Sequence, residues 1–187
     1  MTGVYKPSED TLFLIDALKE IEERLGTAVE VGSGTGEVTK ALSQLSEETH
    51  ATDISFKAAR ITAEALKKTG VWNRCHVVCC DLLSAYRSAE IFDLIVSNPP
   101  YLEPENLGDS SIEGGWRFLI RLFEQAAERI RLGGRVLLVV SSQTRNLREV
   151  LRRARELGFS TIFARRTRLF FEELKILEAT YRGRRSP

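Results

Sequence analysis

The strongest constraint on this chain is a hydrophobic period that switches back and forth along it. Short β-type runs lie at residues 28–31, 50–53, 76–80, 92–97 and 135–140. Between them stand helical stripes: Leu14, Leu18, Ile21 and Leu25; a segment over 55–69 closed by Gly70; Leu119, Leu122, Phe123, Ala126 and Ile130; and Leu147, Val150, Leu151 and Ala154. Asn146, with Glu149 three residues on, reads as a capping-box-like start to the last stripe. After Arg135, the run from Val136 to Val140 is continuously apolar, as a parallel strand covered on both faces must be. Strands alternating with helices imply βαβ units and a doubly wound sheet. The end differs, because 159–168 and 174–182 are two extended runs with no helix between them. The fold expected is therefore α/β: a doubly wound, mostly parallel, seven-stranded sheet finished by an antiparallel hairpin.

A chain of 187 residues suits one domain of this kind. We divide it into an entry segment and helix (1–27), the core (28–158), the hairpin (159–182) and a basic tail (183–187). No run approaches 18 apolar residues, and the first residues lack the basic-then-apolar layout of a signal peptide. The expectation is an intracellular, cytoplasmic protein. Cys75, Cys79 and Cys80 suit neither a disulfide nor a metal clamp, since neighbours on a strand point to opposite faces; they read as small core residues in a reducing compartment. The net charge of +1 hides a division. Residues 1–144 carry 15 basic and 21 acidic side chains, net −6, whereas 145–187 carry 12 and 5, net +7. Such a basic end suits either a phosphate or acidic partner or a solvated surface.

After the first strand comes Glu30-Val31-Gly32-Ser33-Gly34-Thr35-Gly36-Glu37, leading into a helix over about 37–45. Glycines let the backbone turn from strand to helix and approach a ligand closely. The spacing is GxGxG, and Glu37 stands where a dinucleotide fingerprint needs its third glycine. Glu30 and Glu37 bracket the loop, which favours a cationic ligand over a pyrophosphate. Asp53 ends the second strand, 23 residues after Glu30, where a carboxylate can accept both hydroxyls of a ribose. Asp81 follows the third strand and could accept from an adenine amino group. Together, Gly32, Gly34, Gly36, Glu30, Asp53 and Asp81 describe adenosine recognition without a phosphate contact.

The fourth strand ends in Ser97-Asn98-Pro99-Pro100-Tyr101. Two prolines forbid helix and hold Asn98 extended in a stiff loop. The side-chain oxygen of Asn98 and the carbonyl of Pro99 can then both accept from one planar NH₂ group, and Tyr101 offers it a flat face. Amide and aryl-amine nitrogens are poor nucleophiles because their lone pair is delocalised. Two fixed acceptors orient such a nitrogen and draw electron density onto it as charge develops.

Adenosine recognition of this kind resembles the Rossmann-like class I methyltransferases that use S-adenosyl-L-methionine and release S-adenosyl-L-homocysteine. Asn-Pro-Pro-Tyr after strand four is similar to the enzymes that methylate amino nitrogens of adenine, cytosine or protein glutamine. The opening Tyr5-Lys6-Pro7-Ser8-Glu9-Asp10-Thr11 resembles more narrowly the HemK-type protein-glutamine N5-methyltransferases, in their short archaeal and eukaryotic branch. That resemblance implies methylation of the glutamine in the Gly-Gly-Gln motif of a class 1 translation release factor. It also implies cofactor contacts at Thr11, Glu30, Gly32, Asp53, Asp81 and Asn98, with Thr11 helping to hold the methionine end, and no metal. Two positions depart from the family's pattern: Lys6 stands where Glu is usual, and Phe118 where a glycine is common.

In the family's strand order the third strand is an edge of the sheet. Here it is the nearly uncharged run 76–80, and an exposed apolar edge invites another strand. The resemblance implies a small zinc-binding activator protein as the chain that pairs there. Three rival readings stand beside glutamine methylation. The first is adenine-N6 methylation of DNA or RNA, to which the basic end gives some purchase although no target-recognition domain accompanies it. The others are a non-catalytic nucleotide-binding module of the same fold and, more remotely, a dehydrogenase.

Overall fold

The structure, a computed structural model, describes residues 9–99, 115–169 and 172–184. In chain order the elements are α1 (Glu9–Leu18), β1 (Leu25–Val31), α2 (Glu37–Leu42), β2 (Ser46–Asp53), α3 (Phe56–Lys67), β3 (Cys75–Cys79) and β4 (Phe92–Ser97). There follow α4 (Trp116–Ala126), β5 (Ile130–Ser141), α5 (Leu147–Glu156), β6 (Phe159–Arg168) and β7 (Glu173–Tyr181). The seven strands form one sheet in the order β3-β2-β1-β4-β5-β7-β6. The first five run parallel, and β7 enters antiparallel between β5 and β6. The doubly wound sheet, its closing hairpin and the edge position of β3 all match the expectation. Among the described residues no helix is long and apolar enough to cross a membrane.

Both faces of the sheet are covered, which explains the unbroken apolar run of β5. Val136, Leu138 and Val140 pack with Leu119, Leu122 and Phe123 of α4 and Val150 of α5. The alternate residues Leu137 and Val139 pack on the other face with Leu14 and Leu18 of α1 and Val38 and Leu42 of α2. Side chains on a strand alternate between faces, so one strand serves two cores. Beyond β2, α3 lays Leu66 against Val71 and Cys75. On the face of β2 that holds α4, His50 meets His76, Tyr86 and Phe92. Burial, with His76 beside it, holds the His50 ring down at about 4.

Several boundaries differ from the sequence reading. The first stripe is not one helix: α1 stops at Leu18, tightens into i→i+3 bonds at Glu20 and Ile21, and Leu25 already pairs with β2. Ile130 likewise opens β5 rather than closing α4, because it pairs with Phe92. The helix after the glycine loop ends at Leu42 rather than near 45. Asn146 makes no side-chain cap; its φ is 49°, and Glu149 turns to Arg152. Cys75 is buried as expected, but Cys79 is exposed and so is no core residue. The segment over 55–69 holds: Ser55 caps α3 through the Ala58 amide, and Gly70 takes φ 74° beyond its end.

Candidate functional site

The strand order reverses between β1 and β4, and both strands end there in loops on one rim of the sheet. Open α/β sheets bind ligands at that switch point. The glycine loop leaves β1 and crosses towards β2: the amides of Gly32 and Ser33 donate to the carbonyl of Thr52, at 2.8 and 3.0 Å. Asp53 completes the tie. One carboxylate oxygen accepts from the Gly34 amide at 3.0 Å, the other from the Ser55 amide at 2.9 Å. Each oxygen keeps a second lone pair for a ligand hydroxyl.

The three glycines divide the work. Gly32 and Gly34, with φ of 81° and 52°, face open space where a Cβ would stand. That is the form of a cradle for a ligand. Gly36, at φ 83°, lies against α3 instead: a Cβ there would sit 3.2 Å from the Cα of Thr62. The tight strand-to-helix approach thus rests on Gly36, which lines neither cavity described below.

Two cavities meet at this rim. The first, about 240 Å³, is walled by Asp10, Thr11, Glu30, Glu37 and the loop residues 32–35, with Asn98 and Pro99. The second, about 260 Å³, is walled by Asp53, Ile54, Asp81, Leu82, Phe118 and Arg121, again with Gly32, Asn98 and Pro99. The first compartment gathers three carboxylates, those of Asp10, Glu30 and Glu37; the second, of similar size, pairs the carboxylates of Asp53 and Asp81 with the apolar Ile54, Leu82 and Phe118. Gly32, Asn98 and Pro99 are the partition common to both. At that partition the amide nitrogen of Asn98 donates to the Thr11 hydroxyl at 3.4 Å, so the start of α1 and the loop after β4 touch. With Nδ2 engaged there, Oδ1 is the acceptor end of the Asn98 amide. Tyr101 and Lys6 lie outside the described residues.

Glu30 is the electrostatic centre of the first compartment. It is 3% exposed, and its carboxylate accepts a hydrogen bond from the Thr39 hydroxyl. Burial pushes its carboxyl up to about 8; the Thr39 bond opposes this, and nearby Asp53 adds to it. A buried acid of this kind is poised to ionise when a cation arrives. In the second compartment Asp81 is held by the guanidinium of Arg121 from α4. The buried hydroxyl of Thr52, on the same wall, has no hydrogen-bond partner among the described residues.

The sequence reading missed Arg121, Thr39, Ile54 and Leu82. Ile54 is 63% exposed although apolar, directly after Asp53. Leu82, directly after Asp81, takes φ 51°, uncommon for a non-glycine residue. An apolar residue following each strand-end acid was the available signal. Arg121 had none, since only the packing of α4 brings it to Asp81.

A profile of the methyltransferase small domain matches residues 6–167. The chain belongs to that family. Within this methyltransferase family it is 36% identical over 127 residues to "Methyltransferase HEMK2" of Homo sapiens, covering 62% of this chain and 58% of the human protein. It is 28% identical over 187 residues to a "putative protein N5-glutamine methyltransferase" of Methanocaldococcus jannaschii, covering 94% and 91%. In structure it matches a chain of the E. cuniculi Mtq2–Trm112 complex, described as responsible for methylation of the translation termination factor eRF1. The TM-score is 0.73 at 25% identity, over 95% of this chain and 98% of the other. The chain thus spans somewhat more than half of the human relative and nearly all of the archaeal one. The HemK-type resemblance read from residues 5–11 and 98–101 holds.

Proposed function

We propose that this chain transfers a methyl group from S-adenosyl-L-methionine to the side-chain amide nitrogen (N5) of a glutamine, in the Gly-Gly-Gln motif of a class 1 release factor in the cytoplasm. The observation that carries the reading is the pair of unlike compartments sharing Asn98 and Pro99 as their partition. The residues fit the cofactor. Asp10, Thr11, Glu30 and Glu37 suit a cationic amino-acid end, while Asp53, Asp81 and the apolar Ile54, Leu82 and Phe118 suit a nucleoside. The open cradle at Gly32 and Gly34 and the Thr52 hydroxyl, without a partner among the described residues, leave room and hydrogen-bonding capacity for it.

When bound, the cofactor supplies a methyl group on a sulfonium, whose departure leaves a neutral thioether. The protein's part is positional. Asn98 Oδ1 and the Pro99 carbonyl accept from the two hydrogens of the glutamine amide, which fixes the nitrogen's plane and concentrates electron density on it. After transfer the methylated nitrogen is acidic, and the proton it gives up passes to water, while the two acceptors stay hydrogen-bond partners and are not themselves protonated. Thr11, bonded to Asn98 Nδ2, keeps the amide the right way round.

We assign a second role to the sheet edge. Val77 and Val78 of β3 are half-buried, and Ile54, Phe56 and Trp72 near it are exposed. A row of backbone groups unpaired among the described residues, beside exposed apolar side chains, suits strand addition by a small zinc-binding activator protein. The structural match to a chain from a two-protein complex supports this. Val78→Lys should abolish such pairing while leaving cofactor binding intact.

The test separates binding from transfer. Calorimetry should show binding of S-adenosyl-L-methionine and none of NAD. Asn98→Ala should keep that binding within about threefold while lowering methyl transfer at least about a hundredfold. Equal loss of both would place Asn98 in cofactor binding alone, and transfer unaffected by the change would remove the mechanism.

A further inference from the structure

We propose that Glu48, His50 and His76 form a divalent transition-metal site of the zinc type on the edge of the sheet. The three residues come from the two outermost parallel strands, β2 and β3, and none of them lines either cavity of the cleft.

The register builds the site. His50 of β2 stands directly opposite His76 of β3, so both rings rise from one face side by side. Their centroids are 4.7 Å apart and the planes are inclined by 26°. Glu48, two residues before His50 on the same strand, shares that face. One ligand atom from each of the three lies within 4.8 Å of the other two. A point equidistant from three atoms at that limit is about 2.8 Å from each, and zinc requires about 2.0–2.2 Å. Side-chain torsions alone close a difference of that size.

The surroundings resemble those of a metal-bound histidine. Such a ring usually engages a hydrogen-bond partner through its second nitrogen, which fixes both tautomer and orientation. Here His50 Nδ1 lies 3.1 Å from the Tyr86 hydroxyl. With Nδ1–H donating to Tyr86, the lone pair of Nε2 is the one presented to an ion. Tyr86 and Phe92 meet the same ring edge-on, at 5.4 and 5.7 Å, and hold it in place. Glu48 and His76 are exposed, so an ion can enter from solvent and keep water as its remaining ligand. Two imidazoles and one carboxylate suit Zn²⁺, Co²⁺ or Ni²⁺ and disfavour Mg²⁺ or Ca²⁺, which take oxygen ligands. Since the ligands sit on both strands, a bound ion would clamp β3 to β2.

The test uses the full chain, free of any affinity tag and stripped with a chelator, titrated with Zn²⁺ by calorimetry and with Co²⁺ by visible absorption. The expected result is one ion per chain with micromolar affinity, an intense cobalt band, and a higher Tm in Zn²⁺. His76→Ala and Glu48→Gln, both exposed positions, should each weaken binding at least tenfold and remove the Tm rise without lowering Tm in chelator. Cys79→Ser should leave the titration unchanged. No binding to the wild-type chain, binding that survives both ligand variants, or binding lost with Cys79 would each overturn the site.

Discussion

Replacing Glu30 with Gln should convert a pH-dependent cost into a constant. In the folded chain the Glu30 carboxyl sits at about 8, against an ordinary value of 4.5, because burial penalises the charged form more than the Thr39 hydroxyl helps it. The folded state therefore binds more protons than the unfolded state between those limits, and stability falls as pH rises through that window. Below about 4.5 both states are protonated and no cost exists; above about 8 the folded chain carries the full cost of a buried charge. At about 1.4 kcal/mol per pH unit, the gap between 4.5 and about 8 amounts to roughly 5 kcal/mol. That is a large share of a domain's usual 5–15 kcal/mol. Gln is isosteric and can still accept from Thr39, so Glu30→Gln should match the wild type within about 1 kcal/mol near pH 4.5 and exceed it by several near pH 9. Urea denaturation at pH 5, 7 and 9 measures the difference. A variant-minus-wild-type difference flat to within about 1 kcal/mol across that range would refute the reasoning. The same acid predicts that a cationic ligand in the first compartment draws a proton off Glu30 at pH 7. Calorimetry in buffers of different ionisation enthalpy should show proton release in the wild type and none in Glu30→Gln.

Gly36→Ala forces a Cβ to 3.2 Å from the Thr62 backbone at φ 83°, and should lower stability by about 2–3 kcal/mol in thermal denaturation. Phe92→Ala removes a fully buried ring from the core that α4 and α5 form on one face of the sheet, and should cost about 3–5 kcal/mol in the same assay. Asp81→Ala should raise the Kd for S-adenosyl-L-methionine about tenfold or more, because the proposed adenosine contact is a hydrogen bond to a charged acceptor. Its effect on folding should stay near 1 kcal/mol or below, since the Arg121–Asp81 pair is about 40% exposed on each side.

Much of the site could be read in the sequence because parallel strands bring their C-terminal ends to one rim. Once the β-type runs were placed, Glu30, Asp53, Asp81 and Asn98 had to converge, whatever the details of packing. The glycine loop was legible for the same reason, although spacing alone did not show that Gly36 serves α3 while Gly32 and Gly34 face open space. What escaped depended on tertiary contact. The Thr39 bond to Glu30 and the Arg121 bridge to Asp81 join residues 9 and 40 positions apart. Stripe ends misled wherever a core residue changed element without changing face: Leu25 and Ile130 continue an apolar stripe but belong to strands. Asn146 has a capping residue's identity, but its positive φ removes the geometry that a side-chain cap needs. The metal-type cluster was invisible for a related reason: Glu48 and His50 on one strand and His76 on another become neighbours only through the β2–β3 register.

The most direct measurement of the central claim is the position of the transferred methyl group. The chain, with and without the proposed activator protein, is incubated with methyl-labelled S-adenosyl-L-methionine, a Gly-Gly-Gln-containing release factor and an oligonucleotide control, and tandem mass spectrometry locates the label. One methyl group on the amide nitrogen of the motif's glutamine, absent with Asn98→Ala, is the predicted result. Label on the oligonucleotide alone, or on the release factor at any residue but that glutamine, would contradict the account.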